Sequence, residues 1–176
     1  MIIFKKIDKE EYLILKQDFK NLYIETFTKG LSAQHIGEQE ASQYLDHIFE
    51  EGYSVCGFED HQLVATLIAV PISFDKDLPP NLKSIHKNTL YIAEVLVAES
   101  HRGLGLGKKL FEKFELNLSP LIKKIMLRVW DKNKIAIQLY KKQGFEACGE
   151  IIQQKLKPIS KEVFEMKKIY MLKSYN

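Results

Sequence analysis

Cysteine is almost missing from this chain. Two residues in 176, Cys56 and Cys148, are too few for a disulfide framework, and their separation is not a metal-site spacing. Both sit in apolar runs, which predicts buried free thiols and no metal. Long apolar runs are missing too. Nothing approaches the ~20 residues of a membrane span, and the opening Met1-Ile2-Ile3-Phe4-Lys5-Lys6 is far too short for a secretory signal. The expectation is a protein of the reducing cytoplasm with no membrane partner. Nor is there a large excess of one charge. Lys and Arg number 26 against 23 Asp and Glu, a net +3. That balance suits a small anionic ligand and does not ask for nucleic acid, which usually leaves a stronger basic signature. What remains is an ordinary soluble composition, 45% apolar and 28% charged, over a length that suits one domain spanning 1–176.

The apolar pattern alternates between strand and helix periods. Ile2 to Ile7 reads as a strand, Lys9 to Gly30 and Gly37 to Glu50 as helices, and Gly52 as a stop. Tyr53–Phe58 and Gln62–Phe74 read as a hairpin about the polar turn Glu59-Asp60-His61. Asp75 to Asn88, with Pro79-Pro80, reads as a loop of a length more typical of functional or mobile loops. Thr89 to Ala98 is a near-continuous apolar strand broken by Glu94, as in a central strand covered on both faces. A helix over Lys108–Leu118 should bury Leu110, Phe111, Phe114 and Leu118. Ile125–Trp130 follows as a strand. A helix over Asp131–Lys142 should turn Ile135, Ala136, Leu139 and Tyr140 inward and stop at Gly144. Phe145–Leu156 and Val163–Lys173 complete the strands. This order predicts an α/β (α+β) domain with a mixed sheet of about seven strands and helices on both faces. The last strands also offer an edge for a homodimer.

Glycine is scarce as well, yet three of the nine fall within Arg102-Gly103-Leu104-Gly105-Leu106-Gly107-Lys108. A strand, a glycine loop and a helix start make a seat for an anion. Glycine lets backbone approach a ligand and adopt φ > 0, and the first helical N–H groups have no partner within the helix. Lys108 and Lys109 are unfavourable at a helix start, which suggests a negative ligand that offsets them. The dinucleotide fingerprint G-x-G-x-x-G fails on spacing, and G-x-x-x-x-G-K-[ST] fails at Lys109 and Arg102. A ligand-free turn is the plain alternative, and three alternating glycines would make it costly in entropy.

Arg102 to Gly107 matches [QR]-x-x-G-x-[GA], and in that respect resembles the pyrophosphate loop of the GCN5-related N-acetyltransferase (GNAT) superfamily. Ile92-Ala93-Glu94-Val95-Leu96-Val97 resembles that family's fourth strand. Leu127 to Phe145 resembles its second block: strand, Asn133, Ala136, Leu139-Tyr140, Gly144-Phe145. The two blocks cover about Thr89 to Phe145; the first half of the chain fits the element order without a motif of its own.

The resemblance implies a GNAT fold with a splay between the fourth and fifth strands and acetyl-CoA as cosubstrate. It places the pyrophosphate on the backbone of Gly103, Leu104, Gly105, Gly107 and Lys108, with Arg102 and Lys108 adding charge. Backbone groups of Leu96 and Val97 pair with the pantetheine arm, one N–H serving as an oxyanion donor; as side chains both read as core. Asn133 and Ala136 join the coenzyme site, Asn133 reading equally as a helix cap. Tyr140 is the general acid toward the departing thiolate, or else a packed aromatic. Glu94 is the first candidate for a base, since a carboxylate in an apolar strand must be solvated or paired and its pKa rises on desolvation. A carboxylate at the open strand end, or one paired with a lysine, reads as well. Glu99, His101 and His86 are weaker candidates, with His101 expected to face solvent, and a water relay needs none of them.

The expected activity is acetyl transfer from acetyl-CoA to a primary amine by direct attack. The acceptor is a small amine or polyamine, a protein or peptide N-terminus, or a lysine. The alternative is a non-catalytic acyl-CoA-binding sensor or partner subunit. By the resemblance the acceptor site draws on 23–50, 75–88 and 156–163. Glu38, Glu40, Asp46, Glu50 and Glu51 could attract a polyamine or basic peptide there, but read better as a solvated helix face. The loop at 75–88 reads equally as a lid.

Overall fold

The structure, a computed structural model, describes residues 1–29, 33–85 and 87–175. The first strand and two helices are β1 (Ile3–Ile7), α1 (Lys9–Lys29) and α2 (Glu38–Glu51). Next come β2 (Tyr53–Glu59), β3 (Gln62–Pro71) and β4 (Thr89–Val97). The second half is α3 (Leu106–Leu116), β5 (Lys124–Trp130), α4 (Lys134–Lys142), β6 (Glu146–Leu156) and β7 (Val163–Ser174). Asp60 and His61 both take positive φ, 47° and 67°. That is the two-residue turn whose twist suits a β2–β3 hairpin.

The seven strands form one sheet in the order β1-β2-β3-β4-β5-β7-β6. Every pair is antiparallel except β4–β5, so the sheet is mixed as expected. Leu63 to Val70 of β3 are all buried, which requires cover on both faces of the sheet. α1 and α2 cover one face around Tyr12, Phe19 and Phe49, with Tyr12 stacked on Phe49 at 4.1 Å. α3 and α4 cover the other, where Phe111 meets Tyr140 and Phe145 edge-on.

Several expected boundaries move. β3 ends at Pro71, and Ile72–Phe74 forms a 3-10 turn instead of more strand. α3 starts two residues early and stops at Leu116, so Leu118 lies beyond the helix. Asp131 and Lys132 precede α4, which Asn133 caps. Ile135 points outward and is 82% exposed. The inward stripe of α4 runs through Ala136, Ile137 and Tyr140, and Ile135 sits about 200° round the helix from Ile137. Gly144 takes φ 88° just past the helix, as expected of a terminating glycine. Cys56 is buried, whereas Cys148 is only half-buried because it lies on the outermost strand.

Residues 75–85 form a loop, as expected, and a packed one. They contain a 3-10 turn at Pro80–Leu82, and Leu78 and Leu82 are buried. Leu82 fills the space beside Gly149 of β6, where an added Cβ would lie 3.0 Å from its Cδ1. Buried Asp75 is the deeper anchor. Its Oδ2 accepts from the Tyr170 hydroxyl at 2.8 Å, and its Oδ1 lies 3.1 Å from Arg128 Nη1. The segment is therefore pinned to β5, β6 and β7.

Asp75→Ala should destabilise the fold by about 2–3 kcal/mol. This is below the ~3–5 kcal/mol typical of a broken buried pair, because Arg128 keeps a second partner in Asp77. Tyr170→Phe should cost only about 1 kcal/mol. Urea unfolding of the two variants checks the ranking.

Candidate active site

Between β4 and α3 the chain makes a short 3-10 turn at Glu99–His101, then enters the glycine loop. Gly103 and Gly105 take φ of 80° and 74°. A Cβ built at either would meet nothing within 4 Å, so both glycines supply left-handed backbone beside open space. Gly105 is the N-cap of α3, and no side chain caps the helix. The N–H groups of Leu106, Gly107 and Lys108 therefore point out of the helix start unpaired; the first helical bond is Lys109 N–H to Gly105 O. Gly107 does something else. A Cβ there would lie 2.8 Å from Leu139 Cδ2, so this glycine lets α3 pack against α4.

Arg102 is exposed, with Nε 3.4 Å from the Val97 carbonyl. Leu104 is also exposed. Lys108 already has a partner one turn on, Glu112 at 3.5 Å. The unpaired N–H groups, rather than unbalanced lysines, are thus the stronger mark of an anion seat. Such an exposed pair is worth only about 0.3–0.5 kcal/mol and does not block the loop.

Across the gap lies α4. Asn133 Oδ1 accepts from the Ala136 N–H at 3.1 Å, which satisfies the helix start and occupies that N–H. Tyr140 is buried among Phe111 and Phe145, at ring distances of 5.7 and 6.1 Å. Burial, reinforced by the charge of Glu94, pushes its phenol well above the usual tyrosine range. It is a phenol that stays protonated at neutral pH.

β4 carries the central irregularity. Glu94 stands opposite Ile68 and Ile92 opposite Ala69, so Ala93 is an extra residue, a bulge. On its other edge β4 pairs with β5 only from Thr89↔Lys124 to Ile92↔Leu127. From Glu94 to Val97 it keeps β3 and has lost β5, which is the splay expected between the fourth and fifth strands. Leu96 is buried and Val97 half-buried, so their side chains are packed while one backbone edge is free of a strand.

Glu94 stands at the start of this gap. Tyr44 of α2 donates to its Oε1 at 2.8 Å. Burial raises its pKa to about 7, opposed by the Tyr44 hydrogen bond and the positive charges of Lys168, Arg128 and Lys155. Tyr23 and Tyr44, with rings 5.4 Å apart, wall this side, and burial followed by the Glu94 charge pushes both phenols up. Tyr44, Arg128 and Lys168 did not emerge from the sequence as site residues. Tyr44 reads as an ordinary core position of a helix. Lys168 sits among other charged residues of β7, Glu165, Lys167 and Lys173, and so gives no signal of its own.

The weaker candidates lie elsewhere. His101 does not face solvent: its Nε2 is 2.9 Å from Glu59 and its Nδ1 2.8 Å from Ser100 Oγ, so the ring closes the end of β2. Glu99 is exposed, and its N–H donates to Glu25 of α1. His86 lies outside the described residues. The acidic helix face is largely paired off: Asp46 with Tyr12 and Lys16, Glu38 with Lys20, Glu50 with His47. Among the described residues no group of three or more His, Cys, Asp or Glu could hold a metal ion, and no helix is long and apolar enough to cross a membrane.

Known proteins share this fold. The model of the Acetyltransferase (GNAT) family matches residues 16–145. A ribosomal-protein-alanine N-acetyltransferase from Brucella melitensis superposes with a TM-score of 0.70 at 17% identity, covering 98% of this chain and 99% of that one. A protein from Pyrococcus horikoshii gives 0.72 at 20% identity, covering 100% and 99%. An N-acetyltransferase from Staphylococcus aureus gives 0.71 at 11%, covering 99% and 98%. At such identities the likeness is one of fold.

Glu94 makes stability depend on pH. Its native pKa near 7 lies above the ordinary 4.5, so the native state holds this proton more tightly than the unfolded chain. Its contribution is full below 4.5 and is lost as pH rises toward 7, roughly 2–3 kcal/mol in all. Glu94→Gln should remove that decline. Denaturant midpoints of the two proteins between pH 4.5 and 8 check this; parallel curves would contradict it.

Proposed function

The chain belongs to the GNAT acetyltransferase family, and from that premise we propose that it transfers an acetyl group from acetyl-CoA directly to a primary amine. The observation that carries the reading is the gap in the sheet, with an uncapped glycine-rich helix start on one side and a carboxylate of pKa near 7 on the other. The site fits coenzyme A by its own features: unpaired N–H groups, open space over Gly103 and Gly105, and a β4 edge without a strand.

The backbone of Gly103, Leu104, Gly105, Gly107 and Lys108 holds the pyrophosphate, where the helix dipole favours negative charge. Arg102 and Lys108 add charge at the rim. Leu96 and Val97 present backbone groups to the pantetheine arm, and one N–H donates to the acyl oxygen as it gains charge. Asn133, whose Oδ1 caps α4, keeps its amide N–H groups for the same arm, and Ala136 leaves only a methyl beside it. Acetyl-CoA itself supplies an acyl group on a thiolate leaving group.

On the acceptor side Glu94 takes one proton from the bound ammonium, directly or through water, and the neutral amine then attacks the thioester carbonyl. A pKa near the working pH is what a general base needs. Tyr140 gives a proton to the sulfur as the C–S bond breaks, and the nitrogen gives up its second proton to the resulting tyrosinate, directly or through water, leaving a neutral amide. Glu94 ends with one extra proton, which it releases to solvent. Holding both reactants in one gap supplies proximity without an acyl-enzyme. We place this activity in the cytoplasm.

Tyr140→Phe should lower turnover about 10²-fold or more, with acetyl-CoA affinity nearly unchanged, since only the hydroxyl is lost. Coenzyme A release and equilibrium binding, measured on the same preparation, check the split. Equal turnover would remove the acid role. Gly105→Val should weaken coenzyme binding at least tenfold. The position needs φ of 74°, and a branched side chain would stand over the N–H groups. If the wild type bound acetyl-CoA yet no amine raised coenzyme A release, the chain would be a binding module instead.

A further inference from the structure

The cross-strand register puts a set of charged groups on the sheet face that holds Glu94's partners. Arg128 stands opposite Tyr170, and Trp130 opposite Lys168. Lys168 stands opposite Ile151 of β6, with Gln153 and Lys155 following on the same face. Arg128 is engaged through Nη1 by Asp75, Asp77 and Tyr170. Lys167 and Lys173, on the other face of β7, are engaged by Glu150 and Glu115. Lys168 is not. It is half-buried and has no ion pair among the described residues, and its cationic neighbours are Arg128 and Lys155. Burial, then those two cations, push its pKa down, while Glu94 and Asp75 act the other way. Glu94 and Asp75 attract it without forming an ion pair, so this half-buried cation has capacity for an anion that pairs with it directly.

Two further features lie beside it. A shallow cavity of about 430 Å³ runs along the edge strand β6, lined by Asp77 and by Ile151, Ile152, Gln153 and Gln154. Gln153 donates through Nε2 to Asp77 at 2.7 Å, but its Oε1 is buried without a partner and has capacity for an N–H donor.

We propose that the acceptor is an amine that also carries a carboxylate, the carboxylate held by Lys168 and Lys155 while the amine faces Glu94. This rests on the acetyl-transfer reading and narrows it. The same cations repel a second ammonium, so polyamines and lysines in basic segments are disfavoured. A free amino acid and a peptide N-terminus followed by an acidic residue present the same chemistry.

The test is calorimetric titration of the full chain, saturated with coenzyme A, with matched acceptors. One arm compares a small amino acid with its carboxamide. The other compares a peptide amide bearing aspartate at its second position with the asparagine version. In at least one arm the carboxylate member should bind tenfold or more tightly, and which arm does so identifies the source. Lys168→Met should abolish the preference and Lys168→Arg retain it, with melting temperatures reporting that both fold. Equal affinities in both arms, no binding of any carboxylate member, or a preference that survives Lys168→Met overturns the inference. A Lys168 that served only to tune Glu94 would leave the preference in place and shift the pH dependence alone. Acetyl transfer is read separately. A preference without transfer would fail the proposed function and keep the site, and efficient transfer to neutral amines without preference would do the reverse.

Discussion

One extra residue in the fourth strand governs this molecule. Ala93 has no opposite number in β3, and beyond it β4 leaves β5. A strand in the middle of a seven-stranded sheet normally satisfies both edges. Here the backbone from Glu94 to Val97 does so on one edge only. The gap is tolerable because it is lined: α3 and α4 on one face, Tyr23 and Tyr44 on the other. The glycine loop follows directly from the end of β4, so the bulge also sets where the start of α3 points.

The gap places Tyr140 and Glu94 so that each feels the other. Both are shifted upward first by burial, and the Glu94 charge adds to the shift of Tyr140. For a phenol this means a proton firmly held; for a carboxyl it means a proton exchanged near neutrality. The same physical cause thus separates the pH ranges in which they hold their protons. The cations of β5 and β7 keep Glu94 from rising further, which couples the acceptor side to the charge of Lys168 and Arg128.

The element order was legible in the sequence because each element buries a face with its own period, and β4 even announced its odd position through Glu94. The glycine loop was legible through its spacing, although Gly107 proved to serve helix packing. Pairings between distant positions were not. Tyr44 meets Glu94 across 50 positions and Arg128 meets Asp75 across 53. Tyr44, Arg128 and Asp75 do not look unusual in their own neighbourhoods; the burial of each makes sense only once its partner is in place. The packing of the loop was hidden for the same reason, since the prolines and polar residues of 75–85 conceal two buried leucines and one buried aspartate.

The pinning of that segment has a further consequence. Holding Asp75, Arg128 and Tyr170 together ties residues 75–85 to β5 and β7 at once, so displacing the segment would break a buried ion pair and a buried hydrogen bond together. The segment is bonded into the sheet like masonry.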